Sequence, residues 1–132
     1  MTAARPVLPH DGGMKRLALS LLLAATPLRA DPPEIVAAKA TQSGGAWRFD
    51  VTLRHPDSGW DHYADGWEVL APGGARLGYR ELAHPHVTEQ PFTRSLSAIA
   101  IPGNIAEVTI RARCSRDGWA EQTFALLLPR AD

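Results

Sequence analysis

The chain has 132 residues, with 14 Lys+Arg against 14 Asp+Glu, 11 Gly, 11 Pro and one Cys. That length holds one domain, and a formal charge of zero gives no footprint for nucleic acid or an anionic membrane surface. One thiol excludes an internal disulfide framework and any four-cysteine zinc site.

Residues 1–13 read as an over-long start, with initiation at Met14. Met14-Lys15-Arg16 is a basic flank, 17–28 is an apolar run, and Leu28-Arg29-Ala30 sets a small residue before Asp31. This is the layout of a secretory signal peptide over 14–30. The apolar run is shorter than the ~20 residues a membrane span needs. No cysteine follows it closely, so no membrane anchor is expected after cleavage. The expected mature domain, 31–132, keeps ten basic and thirteen acidic residues, a net charge of −3. It is expected to be periplasmic or secreted.

After the stiff Asp31-Pro32-Pro33, short apolar segments alternate with turn residues. This spacing predicts an all-β protein, an immunoglobulin-like antiparallel β-sandwich of about seven strands. The strands are expected at about 35–41, 47–54, 66–70, 76–82, 92–99, 107–114 and 122–128. The second has the clearest alternation: Trp47, Phe49, Val51 and Leu53 on one face, Arg48, Asp50, Thr52 and Arg54 on the other. The sixth sends Val108, Ile110, Ala112 and Cys114 inward, and the last sends Phe124, Leu126 and Leu128 inward. A small barrel is the alternative architecture.

In an up-and-down sandwich, successive loops fall at opposite ends. One end would carry Gln42-Ser43-Gly44-Gly45, Pro72-Gly73-Gly74 and Pro102-Gly103-Asn104, turn residues with no titratable side chain. The other would carry the segments 55–65, 83–91 and 114–119, with all four histidines of the mature chain and the only cysteine. Binding residues concentrate on loops held by a rigid scaffold.

Imidazole and thiolate are ligands for zinc, copper and iron. His84 and His86, at i and i+2, would point the same way on an extended segment, and Pro85 keeps His84 out of the helical region. The proposed metal ligands are His55, His62, His84, His86 and Cys114, with Asp117 or Glu89 as a supporting carboxylate or alternative ligand. The rival reading is a metal-free module that grips a periplasmic protein partner with the same loops and with Trp60 and Trp119. The two separate on geometry: a metal site requires at least two of these histidines to bring ring nitrogens within about 4–5 Å of each other. No GxSxG, HExxH, GxxxxGK[ST] or GxGxxG pattern is present.

His55-Pro56 followed by His62-Tyr63 and Trp67, and the segment Val108 to Trp119 that carries Cys114, resemble superoxide reductases, the desulfoferrodoxin-like iron proteins. The resemblance implies an immunoglobulin-like sandwich and a mononuclear iron held by four histidines and one cysteine. His55, His62 and Cys114 would match three of those ligands. Asp117 stands where the resemblance implies another histidine, and no histidine lies between Asp31 and Arg54. The five-ligand iron site is therefore not expected, superoxide reduction is not predicted, and His84 or His86 would complete a site better suited to copper or zinc. The stretch His84 to Leu96 also resembles exported bacterial proteins of no assigned function.

Overall fold

The structure, a computed structural model, describes residues 31–130, so the expected start (1–13) and signal peptide (14–30) lie outside the described residues. Eight strands follow one another: β1 (Glu34–Ser43), β2 (Ala46–Arg54), β3 (Ala64–Leu70), β4 (Arg76–Glu81), β5 (Phe92–Ile99), β6 (Glu107–Cys114), β7 (Gly118–Trp119) and β8 (Phe124–Leu127). They form two antiparallel sheets: β1-β2-β5, and β4-β3-β6 with β7 and β8 both pairing to β6. This partition is that of an immunoglobulin-like sandwich.

Alternation along the strands builds the core. Trp47, Phe49, Val51 and Leu53 of β2 are buried, as are Trp67 and Val69 of β3 and Val108, Ile110 and Ala112 of β6. Each large apolar side chain removed from water contributes about 1.5–3 kcal/mol. Of the last strand's expected inward residues, Leu128 is buried and Phe124 and Leu126 are half-buried.

The expected seventh strand appears as β8, and a further two-residue strand, β7, forms ahead of it in the segment 114–119 expected as a loop. β7 pairs with the Cys114 end of β6 (Arg113↔Trp119, Cys114↔Gly118), and β8 pairs with its other end (Glu107↔Leu127). The chain between them leaves the ladder, and Gly118, at φ 80°, closes the Cys114–Gly118 hairpin in the left-handed geometry that a three-residue loop favours. The β1–β2 hairpin turns on Gly44 (φ 61°) and Gly45 (φ 86°).

The two sheets meet closely where β4 passes β5. A Cβ on Gly78 would lie 3.0 Å from Ile99 Cδ1 and 3.0 Å from Leu96 Cδ2. Arg80 Nε donates to the Ser95 carbonyl across the same junction at 2.8 Å. On the outer face of the larger sheet, Glu68 is 2% exposed. Its Oε1 accepts from Arg76 Nε at 2.8 Å, and its Oε2 accepts from Arg111 Nε at 2.9 Å and Nη2 at 2.6 Å.

Candidate metal centre

The loops joining β2 to β3, β4 to β5 and β6 to β7 meet at one end of the sandwich. His55 follows β2 directly. His55-Pro56-Asp57 makes a tight reversal in which Asp57 N–H donates to the His55 carbonyl at 2.7 Å, a turn suited to the fixed φ of a central proline. The reversal returns the Asp57 carboxylate to the His55 ring, with Oδ1 2.5 Å from Nδ1 and both side chains fully buried.

His62 ends a second tight turn. Its N–H donates to the Gly59 carbonyl at 3.1 Å, and its own carbonyl accepts from Ser58 N–H at 3.0 Å. Cys114 ends β6 with its side chain directed inward by strand alternation. The Arg116 N–H points at its sulfur at 3.4 Å.

These three residues converge. One donor atom each from His55, His62 and Cys114 lies within 4.8 Å of the other two, and all three residues are buried. The Nε2 atoms of His55 and His62 are buried without a hydrogen-bond partner among the described residues. Unpaired buried polar atoms are costly and call for an explanation. A tetrahedral ion with bonds of about 2.0–2.3 Å would set its donors roughly 3.5 Å apart, so a contraction of about an ångström would close the three onto one ion. The group could hold a metal.

The other expected site residues are placed differently. Asp117 lies at the rim, with Oδ2 3.8 Å from His62 Nε2 and 3.8 Å from Cys114 Sγ. His84 and His86 do not join the three-residue group. Their rings do lie together, with centroids 4.6 Å apart, but His84 is exposed and His86 stacks on Phe92 at 3.9 Å. Burial pushes the His86 imidazole below its ordinary value, helped by Arg94 and His84 and opposed by Glu89 and Asp57. Glu89 is on the surface, ion-paired with Arg94 at 3.1 Å, and that guanidinium holds its carboxyl below the usual range.

Trp60, at the tip of the turn before His62, is 68% exposed and meets the Tyr63 ring edge-on at 5.6 Å. Trp119 is half-buried on the outer face of the larger sheet, beneath the guanidinia of Arg111 (4.6 Å), Arg113 (5.6 Å) and Arg76 (5.9 Å).

Asp57, rather than Glu89, is the carboxylate against the imidazole of His55, and the His-Pro-Asp turn is the local signal in the sequence that points to it. Its Oδ1 also accepts from Ala64 N–H at 2.9 Å, and its Oδ2 accepts from His86 N–H at 2.8 Å. Gln90 completes the clasp between the loops: its Oε1 accepts from His55 N–H at 3.0 Å and its Nε2 donates to the His86 carbonyl at 2.8 Å.

No protein-family model matches the chain, and no solved structure matches it. A protein of Halomicrobium mukohataei described as "Putative lipoprotein" is 43% identical over 83 residues, 63% of this chain and 40% of the relative. The chain therefore spans less than half of that relative's length. None of these comparisons connects the chain with superoxide reductases. Even so, the three residues that the resemblance pairs with iron ligands are the three whose donor atoms meet.

Proposed function

We propose that this domain binds one transition-metal ion through His55, His62 and Cys114, in metal handling or redox chemistry outside the cytoplasm. The observation that carries the reading is the meeting of three buried donors within 4.8 Å, with both histidine Nε2 atoms lacking a hydrogen-bond partner among the described residues. Two imidazoles and a thiolate suit copper or zinc. Iron held as in superoxide reductases would need further imidazoles, and His84 and His86 lie outside the group. Asp117, at the rim, is the side chain placed to take a fourth position.

The export part of the reading rests on the basic flank at Lys15-Arg16 and the apolar run that follows. The name of the Halomicrobium relative is in keeping with it.

The test is stoichiometry. The purified protein, kept reduced, is expected to take up about one Zn(II) or Cu(I) per chain, the coupling of metal to deprotonated ligands making uptake weaker at low pH. His55→Ala or Cys114→Ala should abolish stoichiometric uptake, and His84→Ala should leave it intact. Absence of uptake would overturn the metal reading. It would favour the interaction module instead, for which the exposed Trp60 at the same end is the supporting observation.

A further inference from the structure

Asp57 is a carboxylate with no exposed side-chain surface and, among the described residues, no Lys or Arg ion-pair partner within 4.0 Å. Burying such a group is expensive unless its lone pairs are filled. Here they are filled by a specific set. Oδ1 receives the His55 Nδ1 contact at 2.5 Å and the Ala64 N–H at 2.9 Å, and Oδ2 receives the His86 N–H at 2.8 Å. An ionised carboxylate only accepts, so with Asp57 ionised and His55 neutral the ring nitrogen facing it carries the proton. That leaves His55 Nε2, the atom without a partner, as the nitrogen with a free lone pair.

We infer that Asp57 is a positioning residue of the proposed centre: it locks His55 in the tautomer that presents Nε2 to the metal, and its second oxygen couples the 82–91 loop to metal occupancy. This rests on the metal reading above. A ligating imidazole that donates its other N–H to a carboxylate is held in orientation and made more basic, and loss of such a partner costs about 10–100-fold in metal affinity. The coupling to the loop follows from sharing. A cation on Nε2 makes the Nδ1 proton a stronger donor and draws Asp57 to His55. The same carboxylate holds His86 N–H, and Gln90 ties the His86 carbonyl to the His55 backbone. A change at His55 is therefore passed through the shared carboxylate to the His86 amide, and the loop in turn holds the carboxylate in place.

The test uses zinc as the probe, with histidine tautomers read by 15N NMR in the reduced, metal-free protein. Wild-type His55 is expected to carry its proton on Nδ1. Asp57→Asn should lose that fixed preference and bind zinc 10–100-fold more weakly in chelator competition. Zinc should change the exchange rate of the His86 amide proton in wild type and not in the variant, and an unchanged rate in wild type overturns the coupling to the loop. Glu68→Gln removes charge from another buried carboxylate on the outer sheet face. It should leave the His55 tautomer and zinc affinity unchanged, which separates positioning from general destabilisation. A metal-free wild type with the His55 proton on Nε2 overturns the inference, and this arm holds even if Asp57→Asn fails to fold. So does a folded Asp57→Asn that binds zinc as wild type does. If wild type binds no zinc, the metal reading itself falls, an outcome recognisable without any variant.

Discussion

Cys114→Ala should act differently in the metal-free and metal-bound protein. The Cys114 side chain is fully buried, so losing its sulfur without metal costs roughly one small group's transfer and cavity, about 1 kcal/mol. For a domain of this size that lowers Tm by about 4–8 °C. The metal-dependent part is larger. In the metal-free site the unpartnered Nε2 atoms of His55 and His62 cost about 1–3 kcal/mol each, strain that an ion relieves. Zinc at a hundred times its Kd adds about 2.7 kcal/mol to wild type, which is about 11–22 °C. The variant retains two imidazoles and loses the thiolate, so most of that rise should vanish. Thermal melts followed by tryptophan fluorescence, with and without zinc under reducing conditions, give both quantities. An equal zinc-induced rise in wild type and variant would refute the assignment of the sulfur as a ligand.

Other expectations are independent of that one. The unfolded His86 value is near 6.5 and the folded one is lowered, so the unfolded chain binds more protons between them. Stability should therefore fall as pH drops below about 6.5 and level off below the folded value, at up to about 1.4 kcal/mol per pH unit. His86→Phe should flatten that slope in Tm-against-pH curves, and an unchanged slope would contradict the assignment. Glu68→Leu should cost about 1–2 kcal/mol in urea unfolding, below the loss typical of a broken buried pair, because Arg76 and Arg111 are partly exposed and can rehydrate. Gly66→Ala would set a Cβ 2.5 Å from the Tyr79 hydroxyl. It should expel that ring from the sheet face at a cost of about 1–3 kcal/mol, visible as altered fluorescence of the neighbouring Trp119. Trp60→Ala should change the unfolding free energy in urea by less than about 0.5 kcal/mol, since most of that side chain already contacts water.

The strands were legible because their physics is local. Trp47 to Arg54 and Val108 to Cys114 alternate without interruption, and burial follows that alternation residue by residue. The division between a turn end and a histidine end was legible too, because antiparallel connectivity alone assigns the loops. The composition of the site was legible only in part. His55 and Cys114 adjoin strand ends, so the scaffold fixes where they point. The His84 and His86 rings lie 4.6 Å apart, the one exposed and the other buried. What no local pattern encodes is that His86 finds Phe92 as a stacking partner and thereby leaves the three-residue group. Asp57 was missed because its role depends on a backbone reversal at Pro56 and on the meeting of two loops distant in sequence. The short β7 was likewise invisible, since Gly118-Trp119 follows a polar turn with no apolar alternation of its own and becomes a strand only by pairing back onto Arg113 and Cys114.

The blank end of the sandwich makes the domain easy to handle as a component. A Cβ added at Gly44, Gly45, Gly73, Gly74 or Gly103 would meet nothing within 4 Å, so those tips have open space around them. β2 alone is 9 residues long, which at ~3.3 Å per residue sets roughly 30 Å between the two ends. A tether, reporter or second domain spliced between Gly73 and Gly74 would lie a full strand length from His55, His62 and Cys114. Fixed to a support by that splice, every copy would present its histidine loops to the solution.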